Sequence, residues 1–138
     1  MPYPEMMVAP MRQDLVRIGF QELHTAQDVD DALAPDGQTT LLAINSVCGC
    51  AAAMMRPGVY FSLQGAKRPQ SLTTVFAGQD LDATARARDH IVGYPPSSPA
   101  VALFKDGELV YFMERHQIEG RRAEDIAHDL GVAYEEHC

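Results

Sequence analysis

The run Thr39-Thr40-Leu41-Leu42-Ala43-Ile44-Asn45 is nearly all apolar. A strand with one solvated face alternates apolar and polar residues. A strand buried on both faces reads as a continuous apolar run, and such strands belong to parallel sheets covered by helices. The chain is therefore expected to build an α/β fold around this central strand. Three residues later comes Cys48-Gly49-Cys50, followed by the good helix formers Ala51 to Met55. Two thiols thus lie where a strand meets a helix. Unsatisfied backbone N–H groups and the positive end of the helix dipole favour thiolate over thiol there, and the thiolate is the nucleophile. One intervening residue closes a smaller ring than the two of a Cys-x-x-Cys site, so a tight, strained and readily reduced disulfide is expected.

The remaining chain supplies alternating elements. Tyr3 to Met11 holds two prolines, Pro4 and Pro10, and reads as part of an irregular lead-in over residues 1–11, with a short amphipathic helix from Arg12 to Ile18. Phe20 to Leu23 is a short strand. Thr25 caps a helix over Ala26 to Leu33, and Pro35-Asp36-Gly37 turns the chain. Pro57 breaks or kinks the helix that begins after the cysteines and runs towards Leu63. Ser71 to Phe76 is the next strand. Asp80 is expected to cap a helix to Ile91, with Leu81, Ala85, Arg88 and Ile91 on one face. Ala100 to Phe104 and Leu109 to Glu114 flank Asp106-Gly107, a dipeptide suited to a type I′ hairpin turn. Arg121 to Glu136 is a final helix.

At 138 residues the chain fits one domain, 1–138. A net charge of −8 with scattered cations runs against nucleic acid as a partner. No apolar run approaches the length of a membrane span, and the N-terminus lacks a cationic region followed by a long apolar core, so a cytoplasmic protein with no membrane partner is expected. Three cysteines do not make a disulfide framework in such a protein. A close pair is more often catalytic or metal-binding. No second Cys pair or His-x3–5-His spacing completes a tetrahedral zinc site, so no metal is expected, although His116, His137 or Cys138 would be the ligands to look for. Cys138 is left over, as an end-of-chain thiol or an accessory resolving or dimer-linking thiol. His24, His90 and His128 read as surface residues, Asn45 and Ser46 as turn residues within reach of the cysteine loop, and Gln79-Asp80 as turn and capping residues.

The order β-α-β-(Cys-Gly-Cys)-α-β-α-β-β-α resembles thioredoxin. The resemblance implies a mixed central sheet with helices on both faces and a cis-proline opposite the cysteines, for which Pro99 is the candidate by position. If the hairpin has a two-residue loop, Lys105 pairs with Glu108, Pro99 lies across from Glu114 and Ser98 across from Arg115. That register places Arg115 and His116 beside the cysteines. A cation there stabilises a thiolate and can hold a carboxylate on an incoming thiol.

Four blocks carry a closer likeness: Asn45 to Ala52, Thr74 to Asp80, Pro96-Ser97-Ser98-Pro99, and Arg115-His116-Gln117-Ile118-Glu119-Gly120. With these the chain resembles the bacilliredoxin family, from Val8-Ala9-Pro10-Met11-Arg12 to the terminal His137-Cys138. Ala53 departs from the glycine the family often has at the start of the active-site helix. The resemblance implies a thiol–disulfide oxidoreductase that removes bacillithiol from mixed disulfides on cytoplasmic proteins, with disulfide isomerase activity also attributed to relatives. It implies no bound cofactor, bacillithiol as the co-substrate, the client proteins as the partners, and a low-molecular-weight thiol or its disulfide reductase as the source of electrons. Cys48 would attack and Cys50 would resolve, unless a second thiol molecule resolves Cys48, with Ser98, Pro99, Arg115 and His116 forming the substrate groove. The competing readings are a non-enzymatic carrier of a metal or persulfide on the same cysteines, and a redox-sensing module.

Overall fold

In the computed structural model, which describes residues 2–138, the apolar run is the third of five strands. The strands are β1 (Gln21–Glu22), β2 (Thr39–Asn45), β3 (Ser71–Phe76), β4 (Ala100–Lys105) and β5 (Glu108–Met113), in the order β1-β3-β2-β4-β5. β1, β3 and β2 run parallel, while β4 and β5 are antiparallel and form the far edge. All seven β2 residues are buried. Alternation along β2 divides the core: Leu41 and Ala43 face one cluster with Leu15, Val59, Ile126 and Tyr134, while Leu42 and Ile44 face another with Val29, Ala83 and Ala87. The first face is covered by α1 (Glu5–Val16), α3 (Arg56–Ser62) and α5 (Ala123–His137), and the second by α2 (Ala26–Ala32) and α4 (Leu81–His90). This is the mixed, helix-covered sheet expected of a thioredoxin-like chain.

Several local expectations are met. Thr25 caps α2 through a reciprocal capping box with Asp28. Asp106 and Gly107 take φ of 52° and 78°, as a type I′ turn requires, and Lys105 pairs with Glu108. The Ser98–Pro99 peptide is cis.

Other expectations are corrected. The lead-in is not irregular over its length, because α1 already begins at Glu5 and contains Pro10. Pro4 stands at its N-cap, where no amide hydrogen is needed. The buried stripe Val8, Arg12, Leu15 follows helical i, i+4, i+7 spacing, but an arginine in its centre hides it from an apolar pattern. On α4 the buried face is Ala83, Thr84 and Ala87 rather than the Leu81 face, and Leu81 is exposed. Small side chains permit close packing of α4 against α2. The last helix starts at Ala123, after the turn that holds Arg121.

A bulge at Val110 shifts the hairpin register by one residue beyond Phe104, so that Val101 faces Met113. The expected pairing of Pro99 with Glu114 and Ser98 with Arg115 therefore does not form. Pro57 neither ends the helix nor bends an otherwise regular one. Residues 49–62 are continuously helical, with a π-helical stretch at Ala51–Met55 in which the Arg56 amide donates to the Ala51 carbonyl. A regular α-turn would drive the Pro57 ring into the carbonyl four residues back, and the wider turn accommodates it.

Asp80 occupies the N-cap position of α4 without capping it. Its carboxylate instead takes both terminal nitrogens of Arg12 at 2.9 Å, the His24 ring at 3.2 Å and the Phe76 amide at 3.1 Å. Arg12 also donates to Glu5 and Glu22. This network fastens α1 across the carboxyl ends of β1 and β3. Burial alone would raise the Asp80 carboxyl, but Arg12, His24 and the Phe76 amide outweigh it and hold Asp80 below the ordinary carboxylate value, while Arg12 is pushed above its own.

Three stability results are expected. A depressed carboxyl contributes stability that is present above the unfolded value of about 3.9 and is lost as pH falls through the folded value. Asp80→Asn should cost about 3–5 kcal/mol near neutrality by urea denaturation, since it leaves the Arg12 charge buried without its partner, and the gap to wild type should shrink on acidification. Gly58 is the close-approach point of α3 and α5, where an added Cβ would lie 2.6 Å from Ile126 Cγ2 and 2.9 Å from its Cβ. Gly58→Ala should destabilise by about 1–3 kcal/mol. Gly131→Ala, with open space around it on α5, should stabilise by up to about 1 kcal/mol.

Candidate active site

β2 delivers the chain from the centre of the sheet into the cysteine loop, and buried polar groups fix that loop. The Asn45 side chain accepts from the Ser46 amide at 2.9 Å and from Arg56 at 2.9 Å, and donates to the Met11 carbonyl at 3.1 Å. Ser46 Oγ accepts the Cys48 amide at 3.2 Å. Arg56, only 6% exposed, also donates to the Ser46 carbonyl at 3.3 Å and to Asp14 at 3.0 Å. Asn45 and Ser46 thus hold the active-site loop itself. Arg56 was not legible as part of it, because only the fold brings an arginine after the Met pair back beneath the loop.

Cys48 and Cys50 form a disulfide, with Cα atoms 5.3 Å apart, inside the range such bridges span. The two sulfurs differ sharply in surroundings. Cys48 is half-buried at the surface, whereas Cys50 is 6% exposed and packs into the core cluster of Ala51, Met55 and Ile118. Helical turns start at Cys48, whose carbonyl accepts the Ala51 and Ala52 amides. Two donors reach the Cys48 sulfur: the Cys50 amide at 3.3 Å and the outer nitrogen of Arg115 at 3.3 Å.

Arg115 opens a single 3-10 turn, Arg115–Gln117, after β5. Its amide donates to Ser97 Oγ at 2.7 Å and its guanidinium to the Ser98 carbonyl at 3.3 Å, joining the cis-proline loop to the reactive sulfur. Glu119 pairs with the remaining edge at 2.8 Å. The expected neighbourhood of Arg115 and Cys48 is therefore present, although the register that suggested it is not. A cavity of about 320 Å³ lies over Cys48, bounded by Ser46, Ala77, Ser98, Arg115, Tyr3 and Arg88. Tyr3 and Arg88 come from segments whose sequence carries no site signal. Tyr3 is held there by paired hydrogen bonds with Gln79.

Other expected site residues lie apart. Pro99 is buried at the start of β4, behind Ser98. His116 turns away from the Cys48 cavity, pairs with Glu114 at 3.0 Å and borders a separate groove beside Pro95 and Pro96. Cys138, at the end of α5, lies against Thr39 at the opposite end of β2, about 20 Å from the cysteine loop at the rise of an extended strand. It cannot resolve a disulfide on Cys48 of the same chain. Burial raises its thiol above the usual value. Among the described residues no group of three or more His, Cys, Asp and Glu side chains is placed to hold a metal ion.

Residues 3–138 match the model of a family described as disulphide isomerase. The chain is 53% identical to a bacilliredoxin of Cytophaga hutchinsonii over 97% of its own length and 98% of that protein. It is 52% identical to a bacilliredoxin of Shouchella clausii over 99% and 94% of the two chains. The chain belongs to the bacilliredoxin family. The sheet is that of thioredoxin: Malassezia sympodialis thioredoxin superposes with a TM-score of 0.60 at 14% identity, covering 86% of this chain and 90% of that one. A putative oxidoreductase with a thioredoxin fold gives 0.57 at 13% identity, over 74% and 88%. These distant likenesses show the fold; the near ones, with the Cys48–Cys50 pair, make this bacilliredoxin a thiol-redox protein of the thiol–disulfide oxidoreductase class.

A guanidinium within hydrogen-bond reach favours the charged form of a thiol. In the reduced protein Arg115→Ala should raise the Cys48 pKa by about 1 unit or more, followed by thiolate ultraviolet absorbance against pH. An unchanged titration removes Arg115 from that role.

Proposed function

We propose that this bacilliredoxin reduces mixed disulfides between bacillithiol, or a similar low-molecular-weight thiol, and cytoplasmic proteins. The observation that carries the reading is the asymmetry of the pair. Cys48 opens onto a cavity and has two donors on its sulfur, while Cys50 is enclosed behind it. Only the first sulfur can meet a protein-bound disulfide, and only the second is protected from doing so. Among the described residues no helix is long and apolar enough to cross a membrane.

The exchange is a sequence of two thiolate displacements. The Cys48 thiolate attacks the bacillithiol sulfur of the mixed disulfide, a Cys48–bacillithiol bond forms, and the client sulfur departs with the electron pair and takes a proton. The Cys50 thiolate then attacks Cys48 Sγ, the bond to bacillithiol breaks, and bacillithiol leaves as its thiolate. The two electrons that reduced the client now reside in the released thiols, and the protein holds the Cys48–Cys50 disulfide. Two equivalents of a low-molecular-weight thiol restore it by forming their own disulfide, which a reductase recycles. The Cys50 amide and Arg115 favour the thiolate at Cys48 before its attack on the mixed disulfide.

The family description favours a second activity on the same atoms, disulfide isomerisation, in which Cys48 attacks a client disulfide and is later displaced by another client thiol. Ser98 and the cis peptide before Pro99 form the wall along which a client chain would lie.

Cys48→Ser should abolish release of bacillithiol from a model client. Cys50→Ser should accumulate a bacillithiol adduct on Cys48, seen as a mass increase of the intact protein. Normal turnover without an adduct would assign resolution to an external thiol, and retained activity in Cys48→Ser would overturn the attacking role.

A further inference from the structure

Arg88 is the unexplained charge of this molecule. Every other arginine has a protein acceptor or a carboxylate partner. Among the described residues Arg88 has neither. Its Nε is enclosed without a hydrogen-bond partner, and burial disfavours its charge. An enclosed donor left unpaired is costly, because Nε gives up water and receives nothing in return, while the two terminal nitrogens keep their solvent contact. Arg88 lies on the last turns of α4 and lines the same cavity as Cys48 and Arg115. No Asp or Glu borders that cavity. In a chain of net charge −8, two arginines beside the Cys48 sulfur, of which only Arg115 has an acid partner among the described residues, form a local inversion of sign.

Building on the proposed reduction of mixed disulfides, we propose that Arg88 and Arg115 together form a cradle for the carboxylates of the low-molecular-weight thiol, with Arg88 as the residue that selects a substrate bearing more than one negative charge. Arg115 is already shared with Glu119 and the Ser98 carbonyl, so Arg88 is the cation free to receive a second carboxylate. Planar guanidinium groups match carboxylates with paired hydrogen bonds, and a ligand there replaces the solvent that Arg88 lost on folding. The cavity, about 320 Å³, accommodates a small thiol rather than a folded client. The client chain then occupies the cis-proline side, and the small thiol the α4 side, of the same sulfur.

The test compares wild type, Arg88→Met and Arg88→Lys on one model protein capped in turn with bacillithiol, with glutathione and with cysteamine, the last lacking any carboxylate. Arg88→Met should lower the ratio of kcat/KM for the carboxylate-bearing caps to that for cysteamine by about tenfold, mainly through KM, and Arg88→Lys should recover part of the ratio. Binding of S-methyl bacillithiol and of S-methyl glutathione to Cys48→Ser protein, by calorimetry, should weaken by a similar factor when Arg88→Met is added. An unchanged ratio together with unchanged binding overturns the cradle. So does an equal loss on all three caps, which would mark a structural role. If wild type releases glutathione but not bacillithiol, the substrate reading falls while the glutathione arm still decides Arg88.

Discussion

Two-sided burial of β2 is the constraint on which the site depends. A strand covered on both faces cannot slip by one residue without moving its whole apolar set to the wrong layer. Its carboxyl end is therefore fixed, and the loop that leaves it begins from a defined point. Asn45, the last β2 residue, spends its side chain on the Ser46 amide, the Met11 carbonyl and Arg56, which transmits that fixed position to the loop. α1 and α3 are joined to the same few atoms through Met11, Asp14 and Arg56. The reactive sulfur is thus placed by the core and not by the loop's own preferences.

The division of labour between the cysteines follows from the helix that starts between them and the sheet. Cys48 precedes the helical run and faces outward, with amide and guanidinium donors aimed at its sulfur. Cys50 lies one helical step inward, and its side chain becomes part of the apolar cluster under α3 and α5. A thiol in apolar surroundings is a poor thiolate and a poor attacker of external disulfides. It becomes effective once a mixed disulfide on Cys48 is held beside it, because the reaction is then intramolecular. The same burial that shields Cys50 from clients would, under the proposed function, suit it to an internal resolving role.

Much of this was legible in the chain. The strand from Thr39 to Asn45, the Thr25 cap, the Asp106-Gly107 turn and the cis bond before Pro99 each follow from a local pattern or from likeness to thioredoxin. What was hidden shares one physical cause: buried charge. Arg12 interrupts the stripe of α1, Arg56 looks like an ordinary helix cation, and Asp80 looks like a cap, because periodicity arguments assign charged side chains to solvent. Pairing reverses that assignment, and pairs separated by 42 or 68 residues leave no local trace. The Val110 bulge is a failure of another kind, since one extra residue in a strand shifts register without changing composition. Arg115 reached Cys48 all the same, carried by the 3-10 turn that follows β5.

Charge placement also separates this site from the rest of the surface. Elsewhere arginines are neutralised by adjacent acids, as Arg86 is by Asp30 and Arg121 by Asp129. Such pairs are worth little in water and leave no field. Around Cys48 one acid takes part, Glu119 on the outer edge of Arg115, while Glu114 is occupied with His116 and Asp80 is committed to Arg12, so Arg88 is the cation that no acid offsets among the described residues. The cations that remain favour a thiolate on Cys48, and under the proposed function they would also draw in an anionic small thiol. Thiolate and anionic substrate would repel one another at close range, so chemistry at this sulfur requires cations between and around them. One guanidinium touching the sulfur serves the first need, and Arg88, lining the same cavity, is the one proposed for the second.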